Sequence, residues 1–120
     1  MIIVRPSAEQ DWEILREIRL ASLLDAPTAF GISHASAAAN TDAQWRDRAA
    51  RRGPAEFMLA LADGAAIGMA AGVVSDASEY NLIAMWVRRE YRGTPAAASL
   101  VEAIKARAIE HRCFCPPDNW

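Results

Sequence analysis

The chain has 120 residues, of which 52% are hydrophobic and 23% charged, the composition of an ordinary water-soluble globular domain. That length fits one domain, residues 1–120, with a real core and no obligatory metal or disulfide staple. Thirteen Lys and Arg against fifteen Asp and Glu leave a net charge of −2, so there is no basic surplus to attract nucleic acid or an anionic membrane.

The first residues, Ile2-Ile3-Val4, form a β-branched run that reads as a strand and lacks the layout of a signal peptide. Ser7-Ala8-Glu9-Gln10 has the form of a capping box and predicts a helix from about Ala8 to Leu24. Trp12, Leu15, Ile18 and Ser22 make its buried stripe, and Asp25-Ala26-Pro27 ends it. Residues 26–40 read as a connection carrying two apolar residues, Phe30 and Ile32, with His34 solvated within it. Thr41-Asp42-Ala43-Gln44 is a second capping box, and it opens a helix to about Arg52 that Gly53-Pro54 closes.

From Ala55 the period changes. Two apolar runs, residues 57–62 and 65–74, flank Asp63-Gly64, a strong two-residue hairpin signal. The second run is rich in Gly and Ala, so its face allows close approach of other groups. It is also the longest apolar run, and it falls well short of the ~20 residues a membrane helix needs. Asn81 to Val87 is a nearly unbroken apolar strand of the buried, central kind. A polar turn, Arg88 to Thr94, then leads to a helix from Pro95 to about His111 with Leu100, Val101, Ile104 and Ala108 on its stripe. The order β-α-α-β-β-β-α predicts an α+β, layered α/β domain. Cys113 and Cys115 lie one residue apart, an awkward spacing for a direct bridge, and no second pair completes a zinc site. Two reduced thiols in a cytoplasmic protein without a metal is the expectation.

The informative junction is Trp86-Val87-Arg88-Arg89-Glu90-Tyr91-Arg92-Gly93-Thr94-Pro95-Ala96-Ala97-Ala98. An apolar strand enters a basic, glycine-bearing turn and then a helix that opens on very small residues. Free N–H groups and the positive end of the helix dipole make such a junction an anion cradle. Arg88, Arg89 and Arg92 add charge, and Gly93 permits close approach. The competing reading of these residues is a strand-to-helix connection with a solvated basic face.

The element order, Leu82 to Val87 and Tyr91-Arg92-Gly93-Thr94 together resemble the GNAT N-acetyltransferase family. Trp12 with Ile18-Arg19-Leu20, Asp25-Ala26-Pro27, Ala29-Phe30-Gly31, Trp45-x-x-Arg48 and Asp63-Gly64-x-x-Ile67-Gly68 are similar to a bacterial subgroup of that family, in the same order. The resemblance spans Ile2 to about Ala108. It implies a central, mostly antiparallel sheet flanked by helices and acetyl-CoA as co-substrate. The backbones of Met85, Trp86 and Val87 would hold the pantetheine arm. The Val87 N–H would polarise the thioester carbonyl, and amides of Arg92, Gly93, Thr94, Ala96, Ala97 and Ala98 would hold the pyrophosphate. Phe30 and Gly31 would line the acceptor pocket. The implied reaction is direct attack by an amine of a small molecule or a protein, with Glu79 as the first candidate base and Glu90 as the second.

The chain departs from the family pattern twice. With Arg92-Gly93 aligned, the second glycine is Pro95, which has no N–H, and the third small residue is Ala97. The family's further C-terminal strands and its acid tyrosine have no counterpart in residues 111–120, where Pro116-Pro117 forbids regular structure. The expectation is therefore a C-terminally truncated domain whose strand 81–87 lies open as an edge and pairs with another copy. The alternative function is an impaired or inactive module that binds or oligomerises. A chance match to an unrelated α+β binding domain is the remaining reading.

Overall fold

The computed structural model describes residues 1–26, 33–74 and 79–111. Strand β1 (Ile2–Pro6) leads through a 3₁₀ turn (Glu9–Asp11) into α1 (Trp12–Asp25), followed by α2 (His34–Ala38) and α3 (Asp42–Ala49). Three strands follow, β2 (Ala55–Ala62), β3 (Ala65–Val74) and β4 (Tyr80–Val87). A second 3₁₀ turn (Arg89–Tyr91) then leads to α4 (Ala96–Glu110). The strands form one antiparallel sheet in the order β1-β2-β3-β4, flanked by helices as the α+β expectation requires.

Alternation along β2 explains the layers. Phe57, Leu59 and Leu61 pack with Leu15, Ile18, Leu23, Ala37, Trp45 and Ala49 of the first three helices. Met58, Ala60 and Ala62 turn to the other face and meet Ala96, Leu100, Ile104 and Ala108 of α4. Leu15, Ile18, Leu100 and Ile104 are fully buried, so truncating any of them to alanine costs about 2–5 kcal/mol. The small residues of β3 let the layers close. A Cβ on Gly68 would lie 3.2 Å from the Leu100 side chain, and one on Gly72 would fall within 2.2 Å of the Tyr80 ring.

Local chemistry sets the element ends. At the β2–β3 hairpin Asp63 and Gly64 have φ of 51° and 83°, the left-handed pair that a two-residue primed turn demands. The Thr41 capping box forms as expected, with Gln44 N–H donating to Thr41 Oγ1 and Thr41 N–H donating to Gln44 Oε1.

The Ser7 capping box does not form. Ser7 is buried, and its hydroxyl donates to the Ala49 carbonyl at the end of α3 (2.7 Å). Asp11 does the local work instead, accepting from the Ala8 N–H (2.8 Å) and from both terminal nitrogens of Arg5. The Arg5 hydrogen bonds hold the Asp11 carboxyl below its usual range despite burial. The connection expected over 26–40 contains α2, a short helix that starts at His34 and is capped by Ser33, which accepts from the Ser36 N–H (3.0 Å).

Strand β4 lies at the edge of the sheet among the described residues, as one expectation had it, and is not the central strand that its apolar run suggests. Helix α4 covers one of its faces, whereas the other joins the core through Ala84 and Trp86 and leaves Ile83 42% exposed. Apolar content reports burial of the two faces and says nothing about lateral neighbours.

Candidate active site on the outer strand

Strand β4 is not regular. Met69 pairs with Trp86 and Ala71 with Ile83, so two residues of β4, Ala84 and Met85, stand opposite the single residue Ala70. This is a β-bulge, and Ala84 takes φ of 55°, a left-handed conformation uncommon for a residue with a Cβ. Met85 and Trp86 then pack toward opposite faces, Met85 toward α4 and Trp86 toward α1–α3.

Beyond the bulge the strand presents its backbone outward. Arg88 N–H donates to the Ile67 carbonyl (2.7 Å). Inward- and outward-facing residues alternate in an antiparallel ladder, so the N–H and C=O of Val87 face away from β3. The Val87 carbonyl accepts from Arg92 Nε (3.0 Å). A groove of about 670 Å³ follows this part of β4, lined by Arg19, Ala26 and Leu82 to Trp86.

The turn after β4 is held by local bonds. Thr94 Oγ1 donates to the Tyr91 carbonyl, and Gly93 has φ of 87°, the conformation that calls for glycine here. Pro95 immediately precedes α4, and its carbonyl accepts from the Ser99 N–H (2.9 Å). Ala96 is buried against the sheet, and its N–H makes a long contact with Thr94 Oγ1 (3.4 Å). Ala97 and Ala98 are exposed in the first helical turn, where N–H groups have no intrahelical acceptor.

The arginines of the junction do not simply ring an anion site. Arg89 and Arg92 both donate to Asp25 at the end of α1 (3.3 and 2.8 Å), and Trp86 Nε1 donates to the same carboxylate (2.9 Å). Those hydrogen bonds, Trp86 first and then Arg92, bring the Asp25 carboxyl down to about 2. Arg88 donates to the Ala66 carbonyl (2.9 Å) and pairs with Glu17 (3.5 Å). Sequence reasoning missed Asp25 as part of this site, because a helix-terminal aspartate gives no sign of partners 61 to 67 positions away. It also missed the bulge, since nothing marks Ala84 as left-handed.

The two candidate bases stand apart. Glu79 precedes β4, eight positions before Val87, which is roughly 25 Å of extended chain. Glu90 is exposed in the 3₁₀ turn three positions after Val87. Phe30, Gly31, Cys113 and Cys115 lie outside the described residues. Among the described residues no three His, Cys, Asp or Glu side chains group as metal ligands, and no helix is long and apolar enough to cross a membrane.

Several solved structures share this fold. An aminoglycoside acetyltransferase from an uncultured soil metagenomic sample superposes with a TM-score of 0.75 at 16% identity, covering 96% of this chain and 76% of that one. A GNAT-family acetyltransferase from Staphylococcus aureus Mu50 gives 0.71 at 17% identity, covering 94% and 69%. A ribosomal-protein-alanine N-acetyltransferase from Brucella melitensis biovar Abortus 2308 gives 0.70 at 17% identity, covering 96% and 77%. No curated protein sequence matches the chain significantly. The family model of the acetyltransferase (GNAT) family matches residues 12–119, nearly the whole chain, and the chain belongs to that family.

Proposed function

We propose that this chain is a cytoplasmic N-acetyltransferase that moves an acetyl group from acetyl-CoA to an amine by direct attack. The observation that carries the reading is the bulge at Ala84, after which Val87 turns its N–H away from the sheet beside the start of α4. An outward N–H fixed by a strand is a preorganised donor for the oxygen of a thioester carbonyl as negative charge develops there. The strand edge beside Met85 and Val87 is what the pantetheine arm would meet, since by the same alternation the Trp86 N–H and C=O face Met69 of β3. Arg92, Gly93, Thr94 and the first turn of α4, Ala96 to Ala98, suit the pyrophosphate, with one donor fewer because Pro95 has none.

In this reaction the amine nitrogen bonds to the carbonyl carbon and the carbon–sulfur bond breaks. One proton leaves the nitrogen and one ends on the CoA sulfur. A base must reach the nitrogen directly or through one water. Glu90 is favoured by lying only three positions after Val87, and Glu79 remains the alternative at the far end of the strand. Solved relatives of this fold are described as acting on aminoglycosides and on a ribosomal protein's alanine, so a small-molecule amine and a protein amine are both reasonable acceptors.

Thermal unfolding with and without acetyl-CoA tests the reading. A ligand at a hundredfold excess over its Kd stabilises the native state by about 2.7 kcal/mol, a clear rise in Tm. No rise at millimolar acetyl-CoA sinks the proposal, and so does binding without acetylation of any amine in a broad panel read by mass spectrometry.

A second reading rests on the same strand. The outer edge of β4 has no ladder partner among the described residues, and Ile83 and Val74 are exposed near it. We propose that a second copy pairs there and competes with acetyl-CoA. Sedimentation should show a dimer that acetyl-CoA dissociates; a monomer at all concentrations refutes it.

A further inference from the structure

A cavity of about 90 Å³ lies between α1, α2, α3 and β2, lined by Arg19, Ala37, Asn40, Trp45, Arg48 and Phe57. Its volume exceeds the ~30 Å³ that one water takes up in the liquid, and it suits a single small polar group. Its lining is unusual for an interior. Trp45 is 1% exposed, yet its indole N–H meets no acceptor among the described residues. One terminal nitrogen of Arg48 is buried in the same condition. Buried donors without acceptors are rare in folded proteins, so two in one cavity point to something that fills it.

The charge has the same bias. Arg48 stacks over the Trp45 ring, Cζ 5.0 Å from its centroid, which fixes the guanidinium plane. No carboxylate pairs with Arg48 among the described residues. The neighbouring Asp47 pairs with Arg52 instead. Arg19 reaches the cavity from α1, and burial together with the facing Arg48 holds its guanidinium below its ordinary range. Two guanidiniums border this space beside a buried indole donor. A carboxylate is the complementary group, since its two oxygens accept up to four hydrogen bonds and match a planar guanidinium fork.

Location connects this cavity to the reaction. Arg19 also lines the groove along Ala84, Met85 and Trp86 of β4, so one side chain borders both the cavity and the groove of the proposed acetyl site. We propose that Arg19, Arg48 and the Trp45 indole N–H form a subsite for a carboxylate on the acceptor, so that the substrate is an amine that also carries a carboxylate. The subsite itself stands on the cavity alone. Its assignment to the acceptor rests on the acetyltransferase reading.

Titration of the full chain with sodium acetate, followed by the indole N–H resonances in ¹⁵N-correlated spectra, tests the subsite without any turnover. The Trp45 resonance, assigned by its loss in Trp45→Phe, should move saturably with acetate and stay still with sodium chloride at matched ionic strength. Arg48→Gln should weaken the effect at least about tenfold, the scale of one lost charge-assisted hydrogen bond. Arg48→Lys, which keeps the charge and loses the fork, should fall between the two and serves if Arg48→Gln does not fold. Arg46→Gln, an exposed arginine of the same helix, should leave the affinity unchanged. An indole that does not respond to acetate overturns the subsite, whatever the chain does with acetyl-CoA. A response that survives Arg48→Gln overturns it as well.

The acceptor assignment is read separately, from kcat/KM for amino acids from glycine to 6-aminohexanoate, each against its matched alkylamine. At least one acid should beat its partner, and Arg48→Gln should bring that ratio toward one. Ratios near one throughout overturn the acceptor role. Turnover of no amine at all, with acetate still bound, overturns the acetyltransferase reading and with it the acceptor role, while the carboxylate subsite stands.

Discussion

The two ends of β4 are built on opposite plans. At the start, Tyr80 is fully buried, its ring lies across Gly72, and its hydroxyl donates to Glu56 (2.8 Å). Arg107 of α4 and His111, the residue after α4, close on the same carboxylate (both 2.6 Å), and the His111 ring stacks on Tyr80. At the other end the strand bulges at Ala84, turns the Val87 backbone outward and enters a glycine turn whose arginines are held by a partly exposed Asp25. The first end spends its polar groups on one another around a packed ring. The second leaves backbone donors open and keeps its charges in contacts that an anion can exchange. An open edge stays in place only where something rigid fixes the strand.

The sharpest way to break this contrast is Gly72→Ala. The added Cβ would sit 2.2 Å from the Tyr80 ring, so the ring must leave its place. Overpacking of this kind costs roughly 3 kcal/mol, and Tm should fall steeply while the far end of β4 is untouched in sequence. A Tm change within experimental error would show that the ring does not anchor the strand.

Glu56→Gln comes next and reads through pH. Burial pushes the Glu56 carboxyl up, but hydrogen bonds from Arg107, Tyr80 and His111 outweigh it and leave the folded-state value below the ordinary 4.5. A carboxyl depressed by folding contributes stability above its unfolded value, and this is lost as pH falls through the folded value. The native chain should therefore weaken as the pH falls below the ordinary glutamate range, and Glu56→Gln should flatten that part of the profile. Denaturant unfolding at a series of pH values checks it; equal slopes in both proteins would remove Glu56 from the account.

Gly93→Ala probes the open end. Its φ of 87° disfavours any side chain, although nothing stands within 4 Å of the added Cβ. The cost should be about 1 kcal/mol in stability, well below that of Gly72→Ala, with a proportionally larger loss in acetyl-CoA affinity measured by calorimetry. Equal losses in both would mean that the turn serves the fold alone.

How much of this was legible follows from the range of the interactions. The Asp63-Gly64 turn and the Thr41 capping box were readable because every partner lies within a few residues. Ser7 had the same local signature as Thr41, yet its hydroxyl found a carbonyl 42 residues away, and no local pattern reports that. The apolar run of β4 suggested a central strand, yet the strand lies at the edge, because a run of apolar residues carries no mark of its lateral neighbours. At the site, the glycine turn at Gly93 and the helix start after Pro95 were readable, whereas the arginines' attachment to Asp25 was not. The alanine at the bulge carries no mark of its conformation, because register shifts are settled by the neighbouring strand.

Asp25→Asn should have the smallest effect on stability and the most to say about the open end. The carboxylate stays charged down to about pH 2, so it holds Arg89, Arg92 and the Trp86 indole throughout any ordinary assay. Pairs this close to solvent add little to folding, and an amide oxygen still accepts from the indole. The change therefore leaves Tm nearly unmoved and releases two guanidinium groups beside the turn. If Asp25 stands in for an anionic ligand, acetyl-CoA should bind several-fold more tightly to Asp25→Asn, with a steeper salt dependence, because the arginines no longer exchange one anion for another. Weaker binding would carry the opposite lesson, that Asp25 aims the arginines rather than occupying them. Calorimetric titration at low and high salt separates the two, since a lost orientation weakens binding at both while a lost competitor helps most where screening is least.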